Sequence, residues 1–568
     1  MVLTLWGFTP VTARAEQRSI FLAMGPNLTE KPAGYKKNEK REGVFELVKL
    51  MSKAEKRNFK LYATRLGCNE GAKFLQLFDC FDTLEQYDEA KVLALCPSIS
   101  KQQLPNLKAH LYKQILTSLR MLGVQHSSLL EIREQIDFVK ILFDKGLYVE
   151  AQKLLAKVEK RAIELEQLPA ILDIVELQRQ LKVLCYSSEM TQAADITAKA
   201  TAVISEQLAS IAALSRLSVQ CYALHQNLGF ARSQKDLDRL NSYFKPRIEA
   251  YEGREMNFTE RFYFYQAKAW YHYICHKTAL SYRYALKWVA HFNAKPEMKE
   301  LMYDSYMRGY AQVLDGMFLM NKYSAFTRTL EEFEKESLTI GRLNDNAEMI
   351  SQGILFTGQL NKCLMAGTYK EGLWIAKNID SYLKRYGDRL TLHEKMPLYY
   401  KVASLYFGDG NYAKCIENLA YIIAVKDRNI RRDLQCYARM LNLMALYDAG
   451  LDFNIDYQIR STYSFIVKMK DMTEMKAELL SFFKSFGNLN AMDFKRELKV
   501  LHERLKPYEN HPYERRTFYY IDLLSWLESK ISGRSMGEIV RARFEQSQRQ
   551  ETNKPTNNKK WLHRLFGI

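Results

Sequence analysis

The chain reads as an all-α protein, an array of stacked helical hairpins. Three observations carry that reading. Gly and Pro are scarce, 25 and 12 in 568 residues, within a chain that is 47% hydrophobic. Leu, Ala, Lys, Glu and Tyr recur at helical spacing, and alternating β-branched runs are few. One short pattern also returns along the chain. A single compact core does not accommodate 568 residues, whereas an array in which each unit buries its face on the next one does.

The returning pattern is G-x-Y-x-x-small. It stands in "LFDKGLYVEAQKLL" (142–155) as Gly146, Tyr148 and Ala151, in "CLMAGTYKEGLWIA" (363–376) as Gly367, Tyr369 and Gly372, and in "YFGDGNYAKCIENL" (406–419) as Gly410, Tyr412 and Cys415. Gly permits a tight turn, Tyr fills the groove between two helices, and the small residue lets them approach. Weaker copies centre on Tyr87, on Tyr323 and on Tyr282 with Ala285; Gly450 precedes Asp452, and Cys185 and Ala194 frame another. From Tyr282 the anchors Tyr323, Tyr369, Tyr412 and Asp452 follow at intervals of 41, 46, 43 and 40 residues. The turn resembles that of the tetratricopeptide repeat. The resemblance implies a right-handed α-α superhelix, a solenoid of helical hairpins, with longer helices than the standard period of about 34 residues allows.

Taken in order, residues 1–42 show no period and are punctuated by Pro10, Gly25, Pro26, Pro32 and Gly34, so they read as disordered or as an over-extended start. "LTLWGF" ahead of Ala13-Arg14-Ala15 has the outline of a secretion signal, but no basic residue precedes it and Thr9 and Pro10 break it. Residues 43–125 read as an atypical N-terminal helical cap with a first repeat at Tyr87. Within it, "SKAEKRNFKLYATRLG" (52–67) has a capping box in Ser52 and Glu55 and a left-handed stop in Gly67. Phe59, Tyr62, Ala63 and Leu66 share one face of that helix, and Lys53, Lys56, Arg57 and Lys60 another. Residues 126–535 form the array. Residues 536–568 read as a basic tail whose end, "KKWLHRLFGI", gathers Trp561, Leu562, Leu565 and Phe566 on one side of a short amphipathic helix.

The stretch S-K-x-E-K-R-x-F-K-L, followed by "FLQLFD" and "LYKQILTSLRML" (all within 44–122), resembles a family of cytosolic helical-repeat proteins from Bacteroidota without an assigned activity. That resemblance implies an architecture and no chemistry.

The nine cysteines are scattered and never paired as CxxC, which suits a reducing, cytoplasmic setting. No run of about 18 apolar residues exists, so integral membrane association is not expected. Net charge is +18, concentrated at the ends. Residues 1–66 hold 13 Lys/Arg against 6 Glu, and residues 541–568 hold 7 against 2.

No Walker loop, dinucleotide fingerprint, nucleophile elbow, zinc-protease helix or kinase signature is present, and neither catalysis nor a cofactor is expected. His272 and His276 have the i, i+4 spacing of a weak metal pair without a third ligand, and also read as buried histidines. Among the aromatics of residues 258–310, Tyr263, Tyr271 and Tyr284 fall off the estimated core stripe and are candidates for ligand contact.

Three functions fit. The first is a scaffold that binds a protein or peptide partner on its concave surface. The second is a nucleic-acid or ribonucleoprotein binder that uses the basic ends, with Lys53, Lys56, Arg57 and Lys60 as an anion-binding strip. The third is a peptide-sensing regulator.

Overall fold

A computed structural model describes residues 43–65, 73–124, 127–184, 190–450, 455–485 and 491–552. Among the described residues there are helices and no strands, and consecutive helices pack neighbour to neighbour.

The N-terminal bundle comprises α1 (Gly43–Leu50), α2 (Lys53–Arg65), α3 (Lys73–Thr83), α4 (Glu89–Leu95) and α5 (Leu104–Val124). The capping box that starts α2 is present: the Ser52 amide donates to Glu55 Oε2 at 2.7 Å and the Glu55 amide to Ser52 Oγ at 3.2 Å. Phe59 and Ala63 are fully buried and Tyr62 is half-buried, as the apolar face requires; Leu66 and Gly67 lie outside the described residues. Tyr87 is not a hairpin anchor. It sits, half-buried, in a five-residue connection between α3 and α4 and packs against Phe45 and Phe81 at the edge of this bundle's core.

The array runs on through α6 (Ser128–Asp144), α7 (Tyr148–Glu164), α8 (Leu168–Leu184), α9 (Met190–Leu228), α10 (Gln234–Glu249), α11 (Phe258–Ile274), α12 (Thr278–Asn293), α13 (Glu297–Leu301), α14 (Tyr303–Leu319), α15 (Tyr323–Ile340), α16 (Asp345–Ala366), α17 (Tyr369–Tyr386), α18 (Leu392–Asp409), α19 (Tyr412–Ile423), α20 (Arg432–Asp448), α21 (Ile455–Lys468), α22 (Glu474–Ser485) and α23 (Ala491–Leu505). Two 3-10 turns, Lys506–Asn510 and Glu514–Tyr519, then lead to α24 (Leu523–Ser532) and α25 (Met536–Thr552).

The hairpin turns follow one rule: a left-handed residue, one linker residue, then the next helix. Gly146, Gly367 and Gly410 occupy that position with φ of 73°, 67° and 83°. Glu166, His276 and Asn321 occupy it without being glycine. The rule moves one anchor. The turn before α12 is at His276, so Thr278 takes the tyrosine position and Ser281 the small one; Tyr282 and Ala285 are interior residues four positions further on. Ser281 is buried, and its hydroxyl donates to the Ala269 carbonyl at 2.9 Å.

The small positions do the expected packing. Ala151 and Cys415 are fully buried, and a Cβ on Gly372 would lie 2.6 Å from Leu405. The tyrosines are used more variously. Tyr148 and Tyr412 pack edge-on against Phe143 and Phe407 of the preceding helix. Tyr369 lies over Gly408, where any Cβ would strike its ring.

The register is not continuous. Ala194 falls within α9, a single helix of 39 residues and about 58 Å, and Cys185 lies outside the described residues. α9 begins as the partner of α8 and ends as the partner of α11. The boundary at residue 536 also moves, because α25 is part of the body rather than a tail. It packs on α16, α18 and α24, with Phe544 edge-on to Tyr323 at 4.6 Å and the Arg541 amide beside Gly367. Trp561, Leu562, Leu565 and Phe566 lie outside the described residues.

Candidate functional site

The concave side is not an open trough. The segment between α9 and α10, residues 229–233, with the helix ends that flank it, reaches the far end of the array and closes it. Gly229 permits the contact: its φ is 77° and a Cβ would lie 2.9 Å from Asp433 Oδ2, so conformation and space both require glycine. The Arg431 amide donates to the Gln226 carbonyl at 3.0 Å, and Tyr513 OH donates to Gln234 Oε1 at 2.8 Å. Arg232 Nη1 donates to the Lys470 carbonyl at 3.0 Å, and its Nε stands 3.4 Å from Asp471.

His276 joins the same seam. Its ring stacks on Phe230 at 4.9 Å and bonds the Ala231 carbonyl at 2.9 Å, while its own carbonyl accepts from Arg515 at 2.9 Å.

Two buried charge clusters hold the seam. Arg431 makes a two-pronged pair with Asp433, both bonds 3.0 Å, and donates to Tyr520 OH at 3.1 Å; that hydroxyl donates to Asp433 at 2.9 Å. Burial opposes ionisation of Asp433, but the adjacent guanidinium prevails and holds its carboxyl well below the usual range. Asp471 is likewise buried yet held low, with Lys476, Arg516 and Arg232 around it. Such pairs add little net stability over an apolar core, but removing one partner strands the other, so they fix which surfaces meet.

Closure leaves a cavity of about 930 Å³. Tyr222 and His225 of α9, Trp270 and Tyr273 of α11, Gln312 and Asp315 of α14, and Tyr400, Lys401 and Ser404 of α18 line it; Arg431 and residues 518–522 form the opposite wall. Its rim is exposed at Val219, Asp304, Arg308, Asn321 and Arg543. Aromatic rings make up about a third of the wall. His225 lies 5.6 Å from Trp270 and 5.1 Å from Tyr273, and burial, with the Arg431 charge, lowers its pKa to about 4, so it is neutral at pH 7.

Asp315 is raised by burial against the opposing pull of Lys401 and Arg431, and Lys401 is lowered by burial. The Lys401 ammonium donates to Asn361 Oδ1 at 2.6 Å. A space whose walls mix aromatic rings with polar and charged side chains suits an extended chain or a small organic molecule.

A side pocket of about 210 Å³ branches from the main cavity between α14, α16 and α18. Leu314, Met349, Ile350, Ile354, Leu390 and Leu398 form its interior, and Asp315, Thr357 and His393 line both spaces.

His272 and His276 are not a metal pair. α11 ends at Ile274, so the left-handed His276 points to the seam while His272 stacks on Tyr284 at 5.6 Å. Burial lowers both to about 4. Among the described residues no group of three His, Cys, Asp or Glu side chains is placed to hold a metal.

Tyr271 is a core residue bonded to Asn241 at 2.6 Å, contrary to its expected exposure, because α10 covers that face of α11. Tyr263 and Tyr284 are half-buried, and only Tyr263 lines the cavity.

The basic strip is partly closed. Lys56 pairs with Asp82 at 2.6 Å and Lys60 with Asp79 at 2.7 Å, both acids on α3, while Lys53 and Arg57 stay exposed. The residues that make the cavity, Asp315, Lys401, Arg431 and Asp433, were not singled out from sequence. The one signal for them was an Asp within the apolar run "YAQVLDGMFLM" (310–320).

No family model, curated protein or solved structure matches the chain. Among the described residues no helix is long and apolar enough to cross a membrane.

Proposed function

We propose that the protein is a non-catalytic helical-repeat binding protein, in outline a tetratricopeptide-like scaffold, that takes an extended segment of a protein or peptide into its closed interior. The cavity of about 930 Å³ carries this reading. Its aromatic rings offer apolar area at little entropic cost, and several of its polar groups, Lys401 and Arg431 among them, are already fixed by their own bonds.

The nucleic-acid reading loses support from α2, where Lys56 and Lys60 already face carboxylates. A ligand held by phosphate contacts would weaken steeply with salt, whereas one held in an aromatic cavity would not.

The test is affinity purification at about 50 and about 500 mM salt, with and without nuclease, beside a cavity-filling Ser404→Trp variant. A polypeptide that survives nuclease and high salt and is lost from the variant supports the reading. Recovery of nucleic acid alone, lost at high salt, overturns it.

A further inference from the structure

The side pocket allows the ligand to be specified further, on the assumption that the proposed reading of the main cavity holds. An engineered apolar cavity of about 150 Å³ is enough to admit benzene; the side pocket, about 210 Å³, has room for a phenylalanine-sized or branched aliphatic side chain. Its polar groups are mostly spoken for. Tyr382 OH donates to the Met349 carbonyl at 2.9 Å, Thr357 Oγ1 to the Gly353 carbonyl at 2.8 Å, and Asn361 accepts from Lys401. Arg308 lies 4.0 Å from Glu394, which also caps α18.

Among the described residues Asp315 has no hydrogen-bond or ion-pair partner, and it stands where the two spaces join. His393 beside it is kept uncharged by burial, and Lys401 lines the main cavity but not the side pocket. The mouth of the pocket therefore holds an unpaired carboxyl group, with Arg308 also at the junction, while its interior is apolar.

We propose that the side pocket reads the amino-terminal residue of a peptide: a large apolar side chain inside, the ammonium on Asp315, and the rest of the chain in the main cavity. A free amine with an apolar body shares this chemistry. A peptide is favoured because the adjoining cavity has more than four times the side pocket's volume, and a single residue would leave it empty.

The test uses synthetic hexapeptides beginning with Phe, Leu or Ser, fluorophore-labelled on the last residue, each with a free or an acetylated amino terminus, read by anisotropy. Phenethylamine serves as the free-amine competitor. Free Phe and Leu peptides should bind about tenfold or more tighter than their acetylated forms, the scale of one charge-assisted hydrogen bond. They should also exceed the Ser peptide, and phenethylamine should compete only weakly.

Asp315→Asn should erase the acetylation effect and keep the order Phe over Ser. Ile354→Trp, which fills the pocket, should erase that order and keep the acetylation effect. Equal binding of free and acetylated Phe peptides by the unaltered protein overturns the inference while the reading of the cavity stands. Phenethylamine binding as tightly as the peptide assigns the site to a free amine instead. Failure of every hexapeptide to bind, with polypeptide capture also unaffected by Ser404→Trp, removes the reading itself.

Discussion

The arm formed by α5 to α8 and the start of α9 differs in kind from the closed body formed by the end of α9 through α25. Both are stacks of helices, yet the arm is held by its neighbours and by Glu166, which accepts from the Phe258 amide at 2.7 Å and from Lys295 at 2.9 Å, whereas the body is also held by contacts between residues more than 200 positions apart. Of the exposed large hydrophobic residues, twelve fall between Tyr112 and Val203, among them Val149 at 63% and Ile196 at 59% exposure. Buried charge shows the opposite trend: Arg431, Asp433, Asp471, Lys476 and Arg516 all lie in the body. Nearest-neighbour packing tolerates an irregular, partly apolar surface, whereas closing a ring requires specific partners at one seam.

The comparison can be broken most forcefully at the seam. Asp433→Ala leaves Arg431 buried without its carboxylate and should cost about 3–5 kcal/mol, raising amide exchange throughout the body and leaving α6 to α8 unchanged. Equal loss of protection in the arm would show that the two regions unfold as one.

A pH titration sharpens the same contrast. His225 has a pKa near 4 in the fold against about 6.5 unfolded. The unfolded chain takes up the proton first, so the stability this residue lends is complete above about pH 6.5 and falls as pH drops towards 4, by about 3 kcal/mol in all. His272 and His276 shift in the same direction. Residues 127–204 contain no histidine. The urea midpoint of the body should therefore fall between pH 7 and 4.5, and exchange in α6 to α8 should not follow it through this window.

A smaller effect is expected at the turn. His276→Ala removes the stack on Phe230 and the bond to Ala231 yet keeps a left-handed non-glycine residue, and should destabilise the body by about 1–2 kcal/mol. His276→Gly, which relieves the backbone, should recover part of that loss in thermal melts. Smallest of all, Lys60→Ala breaks one exposed pair with Asp79 and should change stability by less than about 1 kcal/mol. A larger loss would show that the α2 strip is structural.

The helices and most hairpin turns were legible in the sequence because each depends on local chemistry. Gly146, Gly367 and Gly410 mark left-handed turns, and Ser52 with Glu55 marks a helix start. The turn at His276 was misplaced by four residues because a histidine in a left-handed position has no glycine signal, and Tyr282 with Ala285 offered a decoy. α9 was missed as one helix because Cys185 and Ala194 imitate a weak copy of the turn, and Ala194 falls inside it. Beyond Asp315 inside an apolar run, the cavity was not legible. It exists only when Gly229 meets Asp433 and Arg232 meets Asp471, pairings more than 200 residues apart that leave no local trace.

Closure is the central claim, and a photo-crosslinker tests it without touching the native cysteines. With p-benzoylphenylalanine in place of Tyr513, irradiation of the monomer should join that position to the segment around Gln234, which Tyr513 OH reaches at 2.8 Å. Crosslinks confined to neighbours in the C-terminal helices, with none to residues 228–238, would mean that the array stays open and that no enclosed cavity forms.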